Sequence, residues 1–163
     1  MAVDMFINLG DKIKGDSKDA AQGKKNDCDV LAFSFGMSQS GSFHQGAGGG
    51  AGKVMIQDLS FTKYLDAASS ALMLNCCKGT HIPKVVLLVR KAGGKAEKEL
   101  EITMEKVMIS SISMGGSGGE DRFTETVTLH FAEVKFENFK QDEKGVTSSA
   151  GTAHWDIPGN VAK

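Results

Sequence analysis

The residues best placed to do chemistry are two adjacent cysteines, Cys76 and Cys77, with His81 close behind them. A thiol and an imidazole at this separation could act as a nucleophile and its base. Adjacent side chains at a helix end point in different directions, however, and no nearby carboxylate could orient the imidazole. The sequence therefore favours a core position for Cys76 and gives Cys77 no catalytic role.

Two glycine-rich stretches invite comparison with nucleotide-binding loops. The stretch GGGAGKV at 48–54 would need a glycine five residues before Gly52 and a hydroxyl residue after the lysine, but the chain has Ala47 and Val54 there. The stretch GGSGG at 115–119 lacks the spacing of a dinucleotide-binding turn and leads into a predicted strand. Neither stretch predicts a nucleotide cofactor.

The sequence gives equally weak support for a metal site and for a pair of catalytic carboxylates. None of the histidines lies four residues from another histidine or within an H-E-x-x-H motif. Glu99, Glu101 and Glu105 share one face of a predicted strand, which is typical of solvated charges. The sequence therefore predicts no enzyme, no metal site and no cofactor.

Composition narrows the class of protein further. The 163 residues carry a formal charge of −1 and have a pI of about 6.4, without the basic excess that binding of a phosphate backbone needs. The three cysteines show no C-x-x-C spacing, which indicates a reducing compartment. The N-terminus lacks the basic region of a signal peptide, and no apolar run approaches the roughly 18 residues of a membrane span. We expect one domain, residues 1–163, with no nucleic-acid partner and no membrane insertion.

Alternation of apolar and polar residues at period two predicts a mainly β chain. Flexible loops are expected at about 14–28, 37–52 and 141–153. Helical spacing predicts one helix after Tyr64, capped by Asp66 or Ser69 and ended by Gly79. The strands are predicted at 3–9, 29–36, 54–64, 85–89, 99–109 and 123–137, and the apolar stripe of the helix at Leu65, Ala68, Leu72 and Cys76.

Two of the predicted strands change phase partway along. Apolar residues take odd positions up to Phe131 and even positions from Val134, and a second change falls near Lys106. A slip of this kind needs a bulge or a sharp twist near Ala132 and Glu133. Such devices bend a sheet towards closure.

Small and hydroxyl residues fill one face of three predicted strands. A sheet face that is simply solvated usually carries more lysine and glutamate. This smooth, weakly charged face therefore favours a surface that lines a passage or packs closely against a neighbour, and the alternation does not decide between the two for its threonines. The residues concerned are Ala32, Ser34, Gly36, Ser60, Thr62, Thr124, Thr126 and Thr128.

Seven segments, in order along the chain, carry a resemblance to a known family. They are MAVDMFI at 1–7, KGDSKD at 14–19, DVLAFSFGMSQSGS at 29–42, GGGAGKV at 48–54, QDLSFTKYLD at 57–66, RKAGG at 90–94 and GGSGGEDRFTETVTLHFAEV at 115–134. Together they resemble the Hcp (haemolysin-coregulated protein) family, the inner-tube subunits of the bacterial type VI secretion system. Phe33 and Phe35 stand where the family commonly has tryptophan, and Cys28 stands where it tends to have an aliphatic residue.

The resemblance implies a phage tail-tube-like fold, a two-sheet β-barrel with one flanking α-helix. It also implies a homohexameric ring that stacks into a tube, carries secreted effectors in its lumen, and works with spike and sheath proteins. The protein would be assembled in the bacterial cytoplasm and secreted by a route that needs no signal peptide. The alternatives are a small secreted hydrolase using Ser34 or Cys77, or a monomeric ligand-binding barrel.

These implications assign roles to particular residues. Ala32 and Ser34 are predicted to line the lumen and contact effectors, because they oppose apolar neighbours on a strand. The apolar run at 85–89 suits a strand covered by the helix on one side and by a neighbouring chain on the other. Its residues Val85, Leu87 and Val89 are therefore predicted near a subunit interface. The glycines predicted to contact the next ring are Gly46, Gly48, Gly49, Gly50, Gly116, Gly118 and Gly119.

Overall fold

The computed structural model describes residues 2–41, 50, 52–93 and 95–163. Within them the chain is mainly β with one α-helix, as predicted. The helix α1 spans Ser69–Lys78, and the strands before it are β1 Val3–Asn8, β2 Cys28–Val30, β3 Ala32–Ser34, β4 Met37–Ser38, β5 Met55–Ile56 and β6 Leu59–Tyr64. The strands after it are β7 His81–Lys91, β8 Lys98–Gly115, β9 Thr124–Gln141, β10 Thr147–Asp156 and β11 Val161–Ala162.

The strands form a main antiparallel sheet that curls around the core, and β4 pairs separately with β5. The main sheet has the order β11-β10-β9-β8-β7-β1-β2, while β6 pairs with β9 and carries β3 on its far edge. Among the described strands no ladder joins β2 to β6, so hydrogen bonding does not close the expected barrel. Leu31 separates β2 from β3 and donates its backbone N–H to the carbonyl of Thr62 at 2.8 Å. The chain itself therefore links the two ends of the sheet.

A bend crosses the sheet where the sequence predicts the phase changes. In β8, Met104 and Val107 both face the core, with Lys106 between them at a φ of +54°. In β9, Phe131 and Val134 both face the core. The β8–β9 register is the same on either side of this point, so the two strands turn together. The bend is therefore a sharp twist and not a bulge. The register shift in the β8–β9 ladder lies further along β8, between Ile109 and Ser111.

The bend divides the sheet into two halves that share β8 and β9. The strand β9 pairs with β6 over 124–129 and with β10 over 133–141. The strand β8 pairs with β7 only as far as Met108. Each long strand thus changes its outer neighbour at the bend.

The helix packs one side against the core. Ala68, just before it, and Leu72 are fully buried, and Gly79 ends the helix at a φ of +62°, as predicted. Cys76 packs against the core as predicted, whereas Leu65 is 38% exposed. The predicted apolar stripe is confirmed except at Leu65.

The start of the helix differs from the prediction. Ala68 occupies the capping position of α1, and no side chain of the described residues caps the first turn. Asp66 Oδ1 instead accepts the backbone N–H of Ala68 at 2.9 Å, while Ser69 Oγ accepts the N–H of Asp66 at 3.0 Å. Both side chains also contact Lys63, which draws them away from the helix amides.

Residues 14–27, expected to be a flexible loop, pack against the outer face of β1 and β7. Asp27 is buried, and Asp19 forms an ion pair with Arg90 of β7. Leu88, which points outward from β7, is only 7% exposed beside this segment. The outer cover of the apolar run 85–89 is therefore part of the same chain.

Two further predictions of strand boundaries are corrected. The polar residues from Thr147, expected to be a loop, form β10, because the long strand β9 offers them a ladder that outweighs their weak strand preference. The single strand predicted over 54–64 is two strands, β5 and β6. Both differences lie outside the strongly alternating segments.

Candidate functional site

The small and hydroxyl residues come together on one four-stranded surface, which we name the hydroxyl sheet. It consists of β3, β6, the first part of β9 and the last part of β8. Cross-strand pairing places the threonines of β9 on the same face as Ala32 and Ser34. The pairs are Ala32 with Thr62, Ser34 with Ser60, Ser60 with Thr128, Thr62 with Thr126, Ser111 with Thr128, and Ser113 with Thr126.

Hydroxyl groups on neighbouring strands of this surface contact each other. Thr62 Oγ1 and Thr126 Oγ1 are 3.3 Å apart, and Thr128 Oγ1 donates to Ser60 Oγ at 3.5 Å. Ala32 is exposed, as is Ser34 beside it. The surface is therefore polar and weakly charged.

One charged group stands at the border of the hydroxyl sheet. Asp58 Oδ1 lies 2.8 Å from His130 Nδ1, and Asp58 Oδ2 accepts a hydrogen bond from Ser110 Oγ at 2.9 Å. A hydrolytic triad needs the serine against the imidazole, whereas this serine contacts the carboxylate. The three residues have the right types for hydrolysis but the wrong arrangement.

The hydroxyl sheet has two open edges. In the described residues, β3 pairs only with β6, and β8 has no partner on its other edge beyond Met108. The side chains of Ser110, Ser111 and Ser113 along that edge are exposed. Unpaired backbone N–H and C=O groups on such edges are ready to pair with another strand.

A buried charged cluster supports the sheet from below. Lys63 Nζ lies 2.6 Å from Asp66 Oδ1 and also forms an ion pair with Glu125. Ser69 Oγ donates to Glu125 Oε1 at 2.8 Å, which ties the start of α1 to β9. Burial opposes the charge on Lys63, but its hydrogen bonds to Asp66 and Glu125 outweigh burial and raise its pKa.

The cysteines do not form a reactive site with the described histidines. Burial, followed by the nearby Asp66 carboxylate, raises the pKa of the Cys28 thiol far above its usual range, so this thiol stays protonated. Cys77 is exposed on α1, and Cys76 is half-buried. Among the described residues, no group of three or more histidine, cysteine, aspartate or glutamate side chains could hold a metal ion.

The residues predicted at a subunit interface point into the core. Val85 and Leu87 are fully buried, Val89 is 7% exposed, and β7 is paired along both edges. Their side chains are therefore occupied within the chain. That β7 lies near a subunit contact stays a prediction.

The glycines predicted to contact the next ring fall in two places. Gly116, Gly118 and Gly119 are exposed in the turn after β8, and a Cβ on Gly116 would clash with the ring of Phe123. Gly50 is exposed as well. Gly46, Gly48 and Gly49 lie outside the described residues.

Comparison of the sequence with models of known families identifies the class of protein. The family model described as "Type VI secretion system effector, Hcp" matches residues 6–137. The chain belongs to this family of type VI secretion proteins. No helix in the described part of the chain is long and apolar enough to cross a membrane.

Individual relatives cover the whole chain. The chain is 53% identical over 163 residues to protein hcp1 of Pseudomonas aeruginosa PAO1, covering 99% of each. A solved structure of a type six secretion system protein matches with a TM-score of 0.90 at 31% identity, over 99% of this chain and 100% of that one. Hcp1 from Salmonella typhimurium matches with a TM-score of 0.79 at 34% identity over the full length of both chains. The resemblance found in the sequence is confirmed.

Proposed function

We propose that this chain is a structural subunit of the type VI secretion tube. Six copies form a ring, rings stack into a tube, and the tube is exported with effectors in its lumen. The observation that carries the proposal is the pair of open edges on the hydroxyl sheet, β3 on one side and the end of β8 on the other. Membership of the Hcp family supports the secretion role.

The directions of the two edge strands suit a closed ring. Three antiparallel ladders separate β3 from β8, so the two strands run in opposite directions. The β8 edge of one copy can therefore continue the antiparallel alternation beside β3 of the next copy. Such a contact joins two different surfaces and, repeated by rotation, closes into a ring.

In such a ring the hydroxyl sheet faces the lumen. Its small, weakly charged side chains can form hydrogen bonds with an effector but offer few charged groups that would bind it tightly. Such a surface suits effectors that must be carried and then released. Ala32 and Ser34 are the proposed effector contacts. Their exposure and their place beside Ser60 and Thr62 support this role.

Stacking of rings is the role we propose for the glycine turn after β8 and for the glycine-rich segment 46–50. Glycine lets two backbones approach closely. Spike and sheath proteins are the further proposed partners. Assembly takes place in the bacterial cytoplasm, and export follows a route that needs no signal peptide.

Electron microscopy of the purified protein, with light scattering, tests the assembly. We expect ring particles with a central hole and a mass six times that of the 17.3 kDa chain. A stable monomer at micromolar concentration contradicts the proposal and favours a monomeric ligand-binding barrel or a small hydrolase. Hydrolysis assays on the same sample distinguish these two alternatives.

A further inference from the structure

The outward face of α1 is apolar. Met73 is 43% exposed, Leu74 is 53% exposed, and Cys77 lies on the same side one turn on. A helix on the surface of a monomer normally turns a polar face outward. The exposed face of α1 therefore has the character of a surface that contacts protein.

An apolar groove of about 710 Å³ lies on another part of the surface. It runs between the β4–β5 pair and the β9–β10 part of the sheet. Phe35, Ile56, Phe136 and Trp155 are among the half-buried side chains that line it. The indole Nε1 of Trp155 is buried beneath the groove and has no hydrogen-bond partner among the described residues.

The helix runs beside the open edge of β8. At its start, Ser69 bonds to Glu125, which is the cross-strand partner of Met114 in β8. Just beyond its end, His81 pairs with Met108. The helix thus follows β8 over the stretch that lacks a partner strand.

The groove begins beside the other open edge. Phe35 directly follows Ser34, the last residue of β3, and packs against the core on the side away from the hydroxyl face. If β3 of one copy pairs with β8 of a second copy, α1 of the second copy lies next to the groove of the first. Each copy has both the helix face and the groove.

We propose that α1 of one copy docks in this groove of the adjacent copy, with Met73 and Leu74 as its apolar anchors. This contact rests on the proposed ring and adds a second layer behind the edge-to-edge pairing. It buries the exposed apolar face of the helix.

Charge placed on the helix tests the docking. Leu74→Glu is expected to raise the concentration for half-maximal ring assembly about ten-fold or more, because a carboxylate would enter an apolar groove. Val146→Glu is the matched control, since Val146 is 59% exposed in the turn between β9 and β10, away from both surfaces. Equal assembly of wild type and both variants, measured by light scattering, overturns the docking.

Crosslinking tests which surfaces meet. Gln39 lines the groove, so Gln39→Cys places a thiol opposite Cys77 of the docked helix. A bismaleimide linker is expected to give a ladder of covalent species up to the closed ring, and Cys77→Ser should abolish it. Rings that form without crosslinking refute the docking alone, whereas a wild-type protein that forms no rings refutes the proposed function.

Discussion

The two halves of the sheet are built from the same long strands but are protected in different ways. Around β1 and β7 both faces are covered, by the core on one side and by residues 14–27 on the other. Within the described residues, the hydroxyl sheet is covered on one face only and is open at two edges. We name the first region the covered half.

This difference suggests that the covered half contributes mainly to folding stability and the hydroxyl sheet mainly to assembly. In the covered half, β1 and β7 are each paired along both edges, and their buried apolar side chains are covered within one chain. The hydroxyl sheet depends on what lies beneath it, chiefly the core and the Lys63 cluster. Its open edges present unpaired backbone N–H and C=O groups that another strand can pair with.

The largest expected effect comes from removing the support beneath the hydroxyl sheet. Lys63→Ala leaves Glu125 buried without its counter-charge and is expected to lower the free energy of unfolding by about 3–5 kcal/mol. Urea unfolding followed by circular dichroism measures this loss. The double change Lys63→Met with Glu125→Leu removes both charges and should cost less. If the double change costs as much as Lys63→Ala, the cluster does not act through charge.

A smaller effect is expected at the turn beside the open edge of β8. Gly116→Ala places a methyl group against the Phe123 ring, which is 52% exposed and can turn away at a cost of about 0.5–1.5 kcal/mol. Gly118→Ala is the matched control, since no atom of the described residues lies within 4 Å of its added Cβ. Under the stacking proposal, Gly116→Ala also shortens tubes in micrographs while rings persist. Tubes of wild-type length would count against this role for the turn.

The covered half should respond to acid through Asp19. Hydrogen bonds from Arg90 lower the pKa of Asp19 from 3.8 to about 2. A lowered folded-state pKa means that the pair stabilises the protein above pH 3.8 and that this stabilisation disappears as the pH falls towards 2.

Denaturant unfolding across this pH range tests the prediction. Asp19→Asn should flatten the acid dependence. Asp4→Asn is the control, because Asp4 lies 3.7 Å from Arg90 with a side chain that is 46% exposed. An unchanged pH profile for Asp19→Asn would show that residues 14–27 are fixed by other contacts.

The smallest effect on stability is expected on the hydroxyl face itself. Ser34→Gln should change the free energy of unfolding by no more than about 0.5 kcal/mol, because the side chain is exposed. Rings should persist while co-purification of a cognate effector decreases. Ser149→Gln, on exposed β10, is the control. Unchanged effector retention by Ser34→Gln would remove Ser34 from the proposed cargo surface.

Much of the fold was predictable because alternation records which face is buried. The phase changes near Lys106 and Ala132 located the bend on two strands, and the structure shows that they are one feature. Gly79 marked the end of the helix through its need for a positive φ. The hydroxyl residues of β3 and β6 were recognisable as one surface for the same reason.

Other features of the structure have no counterpart in the pattern of apolar and polar residues. Lysine is ordinarily solvated, so nothing in the local sequence marks Lys63 as fully buried. Its partner Glu125 reaches it only through the pairing of β6 with β9. The run 85–89 correctly indicated a strand covered on both faces, but the sequence did not show that residues 14–27 supply one cover. The groove likewise combines residues from four distant segments.

The continuity of β8 and β9 has a mechanical consequence. Each strand has 18 residues, a length of about 60 Å if extended, and crosses the bend without interruption. A load applied along these strands acts on many cross-strand hydrogen bonds in shear, so they must fail together rather than one after another. The β8–β9 ladder at the centre of the chain is therefore expected to resist stretching along its strands as one unit.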